Sequence, residues 1–445
     1  MNSRMIRTIL VRLSSPHCQL MRSAMARLKT AVALIAVLAC SPMHARADVV
    51  LDWNLIAVST VSVGQNPFAQ ARYMAITQLA VFEAVNAITG DYEPYVGTVV
   101  APAGASADAA ATTAAYRVLK SYFPGAATLD TAYAASLAAI PDGSAKTGGI
   151  ATGESAAAQM IALRAGDGSS PAQFYLPESS DPGVWQTTPS CSPAGGILFH
   201  WHNVTPFGIP SVAGSLTWME QFLPGPPPAL TSTRYAKDYN EVKTVGSLNS
   251  TQRPQDRADV VRLFTVSSPS LVFNLVARQV AVAQGKSLSE NARALALLNM
   301  ATNDSLVASF GTKYYYLFWR PETAIRAGDL DGNAKTDPDA SFSPFIATPC
   351  FPSYPSNHAS GSNSAAEILR RLHGAGGHAL TVANSAIPGV TLHYTTFNQI
   401  TDDIDDARVY GGIHFRFEQE AGGRLGRAIA TFIYKHKLRS AHDPD

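Results

Sequence analysis

Toward the C-terminal end of this 445-residue chain, three short segments carry cations and imidazoles at spacings suited to a single oxyanion. Lys313 and Arg320 stand seven residues apart, the second followed by Pro321; Pro355-Ser356-Asn357-His358 comes next, and Arg408 and His414 complete the set. Residues seven apart on a helix lie about two turns along one face, so the first pair is expected to aim two positive charges at one spot. Like charges so placed call for an anion between them. Pro355-Ser356-Asn357-His358 lies between Phe351-Pro352-Ser353-Tyr354 and an apolar, Ala-rich stretch through Ile368 and Leu369, which reads as a loop entering a helix N-terminus. Free backbone N–H groups and the positive end of the helix dipole then gather around Ser356 and Asn357, with His358 at the edge. The set reads as an oxyanion pocket.

The elements that position these residues follow from periodicity. Six residues turn a helix by about 600°, which leaves Arg408 and His414 about 120° apart, so one straight helix cannot point both at one ligand. Gly411-Gly412 supplies the break between them. From His414 a helix is expected to run to about residue 436, with Glu418 at i+4 placed to orient the imidazole and fix its tautomer. Further helices are expected over about 68–90, several within 103–163, and then about 233–246, 253–266, 270–283, 288–308, 311–319, 361–373 and 398–406. Strand signals are scarce. The fold class expected is all-α: two helical bundles packed together, with the anion site in the C-terminal one. Residues 1–47 are set aside as a signal peptide, 48–164 form an N-terminal helical region, 165–232 a long irregular connection rich in Gly, Ser and Pro, and 233–445 the C-terminal helical domain.

The motifs resemble those of the vanadium-dependent haloperoxidases and the type 2 phosphatidic acid phosphatase superfamily that contains them. That pattern is Lys, six residues, Arg-Pro, then Pro-Ser-Gly-His, then Ser-Arg, five residues, His, three residues, Asp. Here it reads Lys313 to Arg320-Pro321, Pro355-Ser356-Asn357-His358, and Ala407-Arg408 to His414 and Glu418, with Asn357 for Gly, Ala407 for Ser and Glu418 for Asp. The last two changes are mild, whereas Asn357 puts a side chain where the family usually has none. The runs Trp319 to Arg326 and Phe351 to Ser356 look more like the haloperoxidase branch than the lipid phosphatases; the resemblance is specific over about the last 140 residues.

The resemblance implies that Lys313, Arg320 and Arg408 neutralise the oxygens of vanadate or phosphate, with Ser356 and the Asn357 N–H as further donors. It makes His414 the ligand of vanadium in vanadate, or in a phosphatase the nucleophile that forms a phosphohistidine, and His358 the acid–base group. Glu418 supports His414. Three functions are weighed: a haloperoxidase using bound vanadate, hydrogen peroxide, a halide and a small organic acceptor; a soluble acid phosphatase with no cofactor, for which phosphate esters are substrates; and a catalytically silent oxyanion-binding protein.

Other residue clusters carry less. His200-Trp201-His202 is half of a metal pattern without a familiar second half, and reads as loop histidines. Asp329, Asp331, Asn333 and Asp337 imitate a calcium loop, but Ala334 and Ala340 occupy the positions of its turn Gly and closing Glu, so a solvated turn is expected. His373 and His378 flank a Gly-rich helix end.

Arg27 and Lys29 precede the apolar run Ala31 to Ala39, and Ala45-Arg46-Ala47 offers a cleavage site, so export to the periplasm or the medium is expected. Beyond residue 47 the chain has 27 basic and 33 acidic residues, a balance of −6 that disfavours a nucleic-acid partner. Cys191 and Cys350 remain there and can pair in an oxidising compartment, stiffening the loop before Ser356. No later apolar stretch reaches the length of a membrane span.

Overall fold

The computed structural model describes residues 48–210 and 221–442; the expected signal segment lies outside them. Thirteen α-helices are described, which makes the fold mostly helical as expected. The chain opens with α1 (Val49–Val61), α2 (Pro67–Thr89), α3 (Ala107–Tyr122), α4 (Thr128–Ala138) and α5 (Ser144–Leu163). After the irregular segment come α6 (Thr233–Val245), α7 (Gln255–Val266), α8 (Pro269–Gln284), α9 (Leu288–Tyr316) and the short α10 (Pro321–Arg326). α11 (Asn357–His373), a hairpin of β1 (Gly376–Ala383) and β2 (Thr391–Thr396), α12 (Phe397–Val409) and α13 (Arg416–His436) complete it. The helix α1 and the hairpin were not expected. In the antiparallel hairpin Leu380 and Val382 pair with Tyr394 and Leu392, and only Leu380, Val382 and Tyr394 turn to the core, too short an alternation to stand out in the sequence.

The axis of the molecule is α9. A capping box between Ser287 and Glu290 starts it, and every residue from Ala294 to Lys313 is buried, which a helix of mostly small and apolar residues on all sides permits. It packs against α2, α11 and α13, so the N- and C-terminal helical regions share one core running from Val50 to Leu438. α2 is built the same way: Asn66 caps Phe68 and Ala69, Pro67 takes the first turn, and Gly90 ends the helix at φ 70°.

At one buried point of α9 a carboxylate fixes the irregular segment. Asp304 accepts the N–H groups of Phe207, Gly208 and Ile209 at 2.7, 2.6 and 3.0 Å. Replacement by Ala leaves three buried donors without partners, each costing about 1–3 kcal/mol. Asp304→Ala is therefore expected to destabilise the protein by about 3–5 kcal/mol, read as a lowered urea midpoint.

Two expectations need correcting. The helix expected at 311–319 is the end of α9, and it stops at Tyr316 because Leu317 turns into the left-handed region at φ 47°. Lys313 and Arg320 therefore do not share a helix face. Arg320 is the residue before α10, in extended conformation, and a turn of the chain brings it to Lys313. His414 likewise stands two residues before α13, in the link that follows Gly412 at φ 80°.

Among the described residues no single helix is long and apolar enough to cross a membrane; α7 and α8 meet that composition only jointly and bend by 99°.

Candidate active site

α11 and α13 meet closely because glycine faces the site loop. A Cβ on Gly422 would lie 2.3 Å from the carbonyl oxygen of Ser356, and one on Gly426 2.1 Å from that of Ser360. This contact sets the N-terminus of α11, which carries Ser356, Asn357 and His358, against the start of α13. Ser356 caps α11 by accepting the Ala359 N–H, and its own N–H donates to the Glu418 carbonyl at 3.0 Å.

Lys313 is fully buried and donates from Nζ to the carbonyls of Pro352 (3.0 Å) and Ser353 (2.6 Å). Arg320 donates from Nε to the Phe351 carbonyl and from Nη1 to that of Ile413, both at 2.9 Å. The Phe351 ring lies within 5.4 Å of Lys313 and 4.8 Å of Arg320. Burial, joined for Lys313 and Arg408 by the charge of Arg320, pulls all three cations below their usual ranges: Lys313 well below, Arg320 and Arg408 to about 10. Nη2 of Arg320 and both Nε and Nη2 of Arg408 are buried with no hydrogen-bond partner.

His414 connects this positive wall to a carboxylate. Its Nδ1 donates to Oε2 of Glu418 at 2.6 Å, and that oxygen also accepts the Ser353 hydroxyl (2.8 Å) and the Phe415 N–H (3.0 Å). The Nδ1–H tautomer leaves the lone pair on Nε2, where Nη1 of Arg320 stands at 3.1 Å. Burial, with Arg320 and Lys313 next, holds His414 well below the usual imidazole range. His358 is held low by burial and by Arg408, Lys313 and Arg320. Both imidazoles are neutral at pH 7 while no anion is bound.

Burial pushes the Glu418 carboxyl up to about 7, against the pull of Lys313 and Arg320. A carboxyl raised in the folded state favours folding below its unfolded value, near 4.5, and that contribution is lost as pH rises toward 7. The anion-free protein is expected to lose stability over this window relative to Glu418→Gln, measured by urea unfolding at pH 4.5 and 7.5.

Each expected site residue thus has a place. Lys313, Arg320, Arg408, His358, His414 and Glu418 form one electrostatic cluster, with Ser356 and Asn357 at the start of α11 beside it. Ser353 was missed. Its partner Glu418 is 65 residues away, and only its place in the Phe351 to Ser356 run marks it. The backbone carbonyls that hold Lys313 and Arg320 carry no sequence signal at all.

Cys191 and Cys350 are bonded, which ties the loop of these carbonyls to the irregular segment. The same join carries Ile197 N–H to the Cys350 carbonyl at 2.9 Å and Trp185 N–H to that of Leu317 at 2.6 Å. His200 and His202 occupy a 3₁₀ turn (Phe199–Asn203), where His200 Nδ1 accepts the Gln173 N–H at 3.1 Å and His202 bonds the Phe199 carbonyl. Asp331 accepts the Asn333 N–H and Thr336 hydroxyl, closing the turn that imitates a calcium loop. That carboxylate is buried rather than solvated.

Taken together, the fold and pocket define a helical protein with a buried, cation-lined pocket. Residues 293–443 match the family model described as the VCPO second helical-bundle domain. Vanadium chloroperoxidase of Curvularia inaequalis is 25% identical over 185 residues, a match covering 35% of this chain and 30% of that protein's length. Among solved structures, the first bacterial vanadium-dependent iodoperoxidase superposes with a TM-score of 0.73 at 23% identity, covering 89% of this chain and 98% of that one. A bacterial vanadium-dependent chloroperoxidase superposes in its apo form with a TM-score of 0.65 at 16% identity over 83% of this chain and 95% of that one. A holo-type bacterial vanadium-dependent chloroperoxidase gives 0.64 at 17%, over 84% and 94%. Residues 293–443 thus resemble a vanadium haloperoxidase helical bundle, and the fold is that of the solved bacterial vanadium haloperoxidases.

The residues fit the group that this family name implies. The pocket's unpartnered buried guanidinium donors, beside a third buried cation, make a site for a tetrahedral oxyanion such as vanadate.

Proposed function

We propose that this protein is an exported, vanadate-dependent haloperoxidase that uses hydrogen peroxide to oxidise a halide to a hypohalous species, which halogenates a small organic acceptor. The observation that carries it is the unpartnered guanidinium N–H groups of Arg320 and Arg408 in a pocket with His414 Nε2. Export is supported by the basic and apolar run before residue 47 and by the Cys191–Cys350 bond, which suits an oxidising compartment.

Lys313, Arg320 and Arg408 would hold the anion's oxygens, joined by Ser356 and the Asn357 N–H, and His414 would bind it through Nε2. Vanadate so held supplies a Lewis-acid centre at which peroxide is activated for two-electron oxidation. Glu418 keeps the Nδ1 proton in place, so the Nε2 lone pair, which Arg320 Nη1 faces at 3.1 Å, is the one the anion would meet. Ser353 and the Phe415 N–H in turn fix that carboxylate. His358, neutral while the pocket is empty of anion, would serve as the acid–base group that takes up and returns a proton beside the bound anion.

His358→Ala is expected to lower turnover about 10²-fold or more while changing vanadate affinity only a few-fold, measured by steady-state kinetics and vanadate titration.

The deciding experiment strips the purified protein of anions and assays peroxide-dependent bromination and iodination with and without orthovanadate, with phosphate-ester hydrolysis in parallel. Halogenation only with vanadate supports the proposal. Hydrolysis inhibited by vanadate, without halogenation, moves the chain to the phosphatase reading, and vanadate binding with silence in both assays leaves an oxyanion-binding protein.

A further inference from the structure

The three helices that carry His358, Arg408 and Glu418 also enclose a second polar cleft, of about 360 Å³. α12 lines it with Asn398, Asp402 and Asp405 at steps of four and three residues, one face of that helix, and α13 adds Gln419. Helix junctions in a core are ordinarily apolar, because a buried polar group without a partner is costly.

Gln419 is 1% exposed, yet neither its Nε2 nor its Oε1 has a partner, and Oδ1 of Asp405 is buried and unpartnered too. The remaining charged groups of the cleft are engaged: Arg427 with Oδ1 of Asn363, Arg370 with Glu367, and Glu420 with Arg234. Arg427 lies near both α12 carboxylates and Arg416 near Asp405, but neither is hydrogen-bonded to them. What stays without a hydrogen-bond partner is a set of oxygens, two carboxylates one turn apart and two side-chain amides. Hard metal cations take such donors, whereas an anion would meet two carboxylates.

We propose that Asp402, Asp405 and the amide oxygens of Gln419 and Asn398 bind a hard divalent cation of the calcium class. Asp405 lies one turn before Arg408, and Gln419 directly follows Glu418. The cation therefore ties α12 to α13 between two residues of the oxyanion pocket, and holds Arg408 and Glu418 at their mutual positions. The site is independent of the reaction proposed above.

The test takes the full chain, treated with chelator and dialysed, through calorimetric titration with CaCl2 and through thermal unfolding with and without it. One saturable site is expected, with a rise in Tm of about 3 °C at a hundredfold excess over Kd. Asp402 is exposed and makes no hydrogen bond among the described residues, so Asp402→Asn leaves the fold intact and is expected to weaken binding at least tenfold. Asp405→Asn is expected to do the same. No heat and no change in Tm would overturn the proposal, as would identical titrations of the wild type and Asp402→Asn, or an equal rise in Tm with KCl at matched ionic strength.

Discussion

His414→Ala is expected to abolish peroxide-dependent halide oxidation and to release vanadate, because on the proposed reading it removes the one uncharged ligand of the anion. The residue is 1% exposed and bonded at both nitrogens, to Glu418 at 2.6 Å and to Arg320 at 3.1 Å. Truncation also leaves Glu418 Oε2 with two donors rather than three, in a carboxylate whose Oε1 is already unpartnered. Its affinity loss is therefore expected to exceed a single ligand's share. Equilibrium dialysis with orthovanadate should show at least a 10²-fold rise in Kd, and activity should fall to background at any vanadate concentration the assay tolerates. Retention of both would remove His414 from the site, and the pocket would need another ligand.

Arg408→Met should separate binding from stability. Arg408 is 3% exposed, carries a charge that burial and Arg320 disfavour, and has two N–H groups without partners. A thioether of similar length needs neither hydration nor a partner, so the anion-free variant is expected to be about 1–3 kcal/mol more stable than the wild type. Vanadate affinity is expected to fall by about 10²–10³, from the loss of two charge-assisted hydrogen bonds. Urea unfolding without vanadate and equilibrium dialysis with it read the two effects on the same preparations. A variant less stable than the wild type would mean that Arg408 has a structural partner within the fold, and the donors would lose their meaning as an anion site.

The same reasoning accounts for the three departures from the family's usual residues. Glu418 reaches Nδ1 of His414 at 2.6 Å, so the longer acid keeps the contact. Ala407 is fully buried in the core of α12, where a hydroxyl is not needed to place Arg408. Asn357 sits at the first position of α11, 5% exposed, where its N–H remains one of the orphan donors of the helix end.

What the sequence determined by itself is the set of charged and imidazole groups, since their types and intervals are local facts. Helix positions were legible for the same reason: caps such as Asn66-Pro67 and Ser287 to Glu290, and the 3.6-residue period, act within one or two turns. Tertiary structure alone decided how those groups meet. Seven residues between Lys313 and Arg320 suggested one helix face, but Leu317 ends the helix, and the pair is held by the carbonyls of residues 351, 352, 353 and 413. Carbonyls are the same in every residue, so no residue type announces them. Ser353 with Glu418, Asp304 with residues 207–209, and the uncommitted oxygens of Asp405 and Gln419 are likewise contacts between distant segments. Whether a polar group is satisfied or left waiting for a ligand depends on what packs against it, and that is settled only when the helices close.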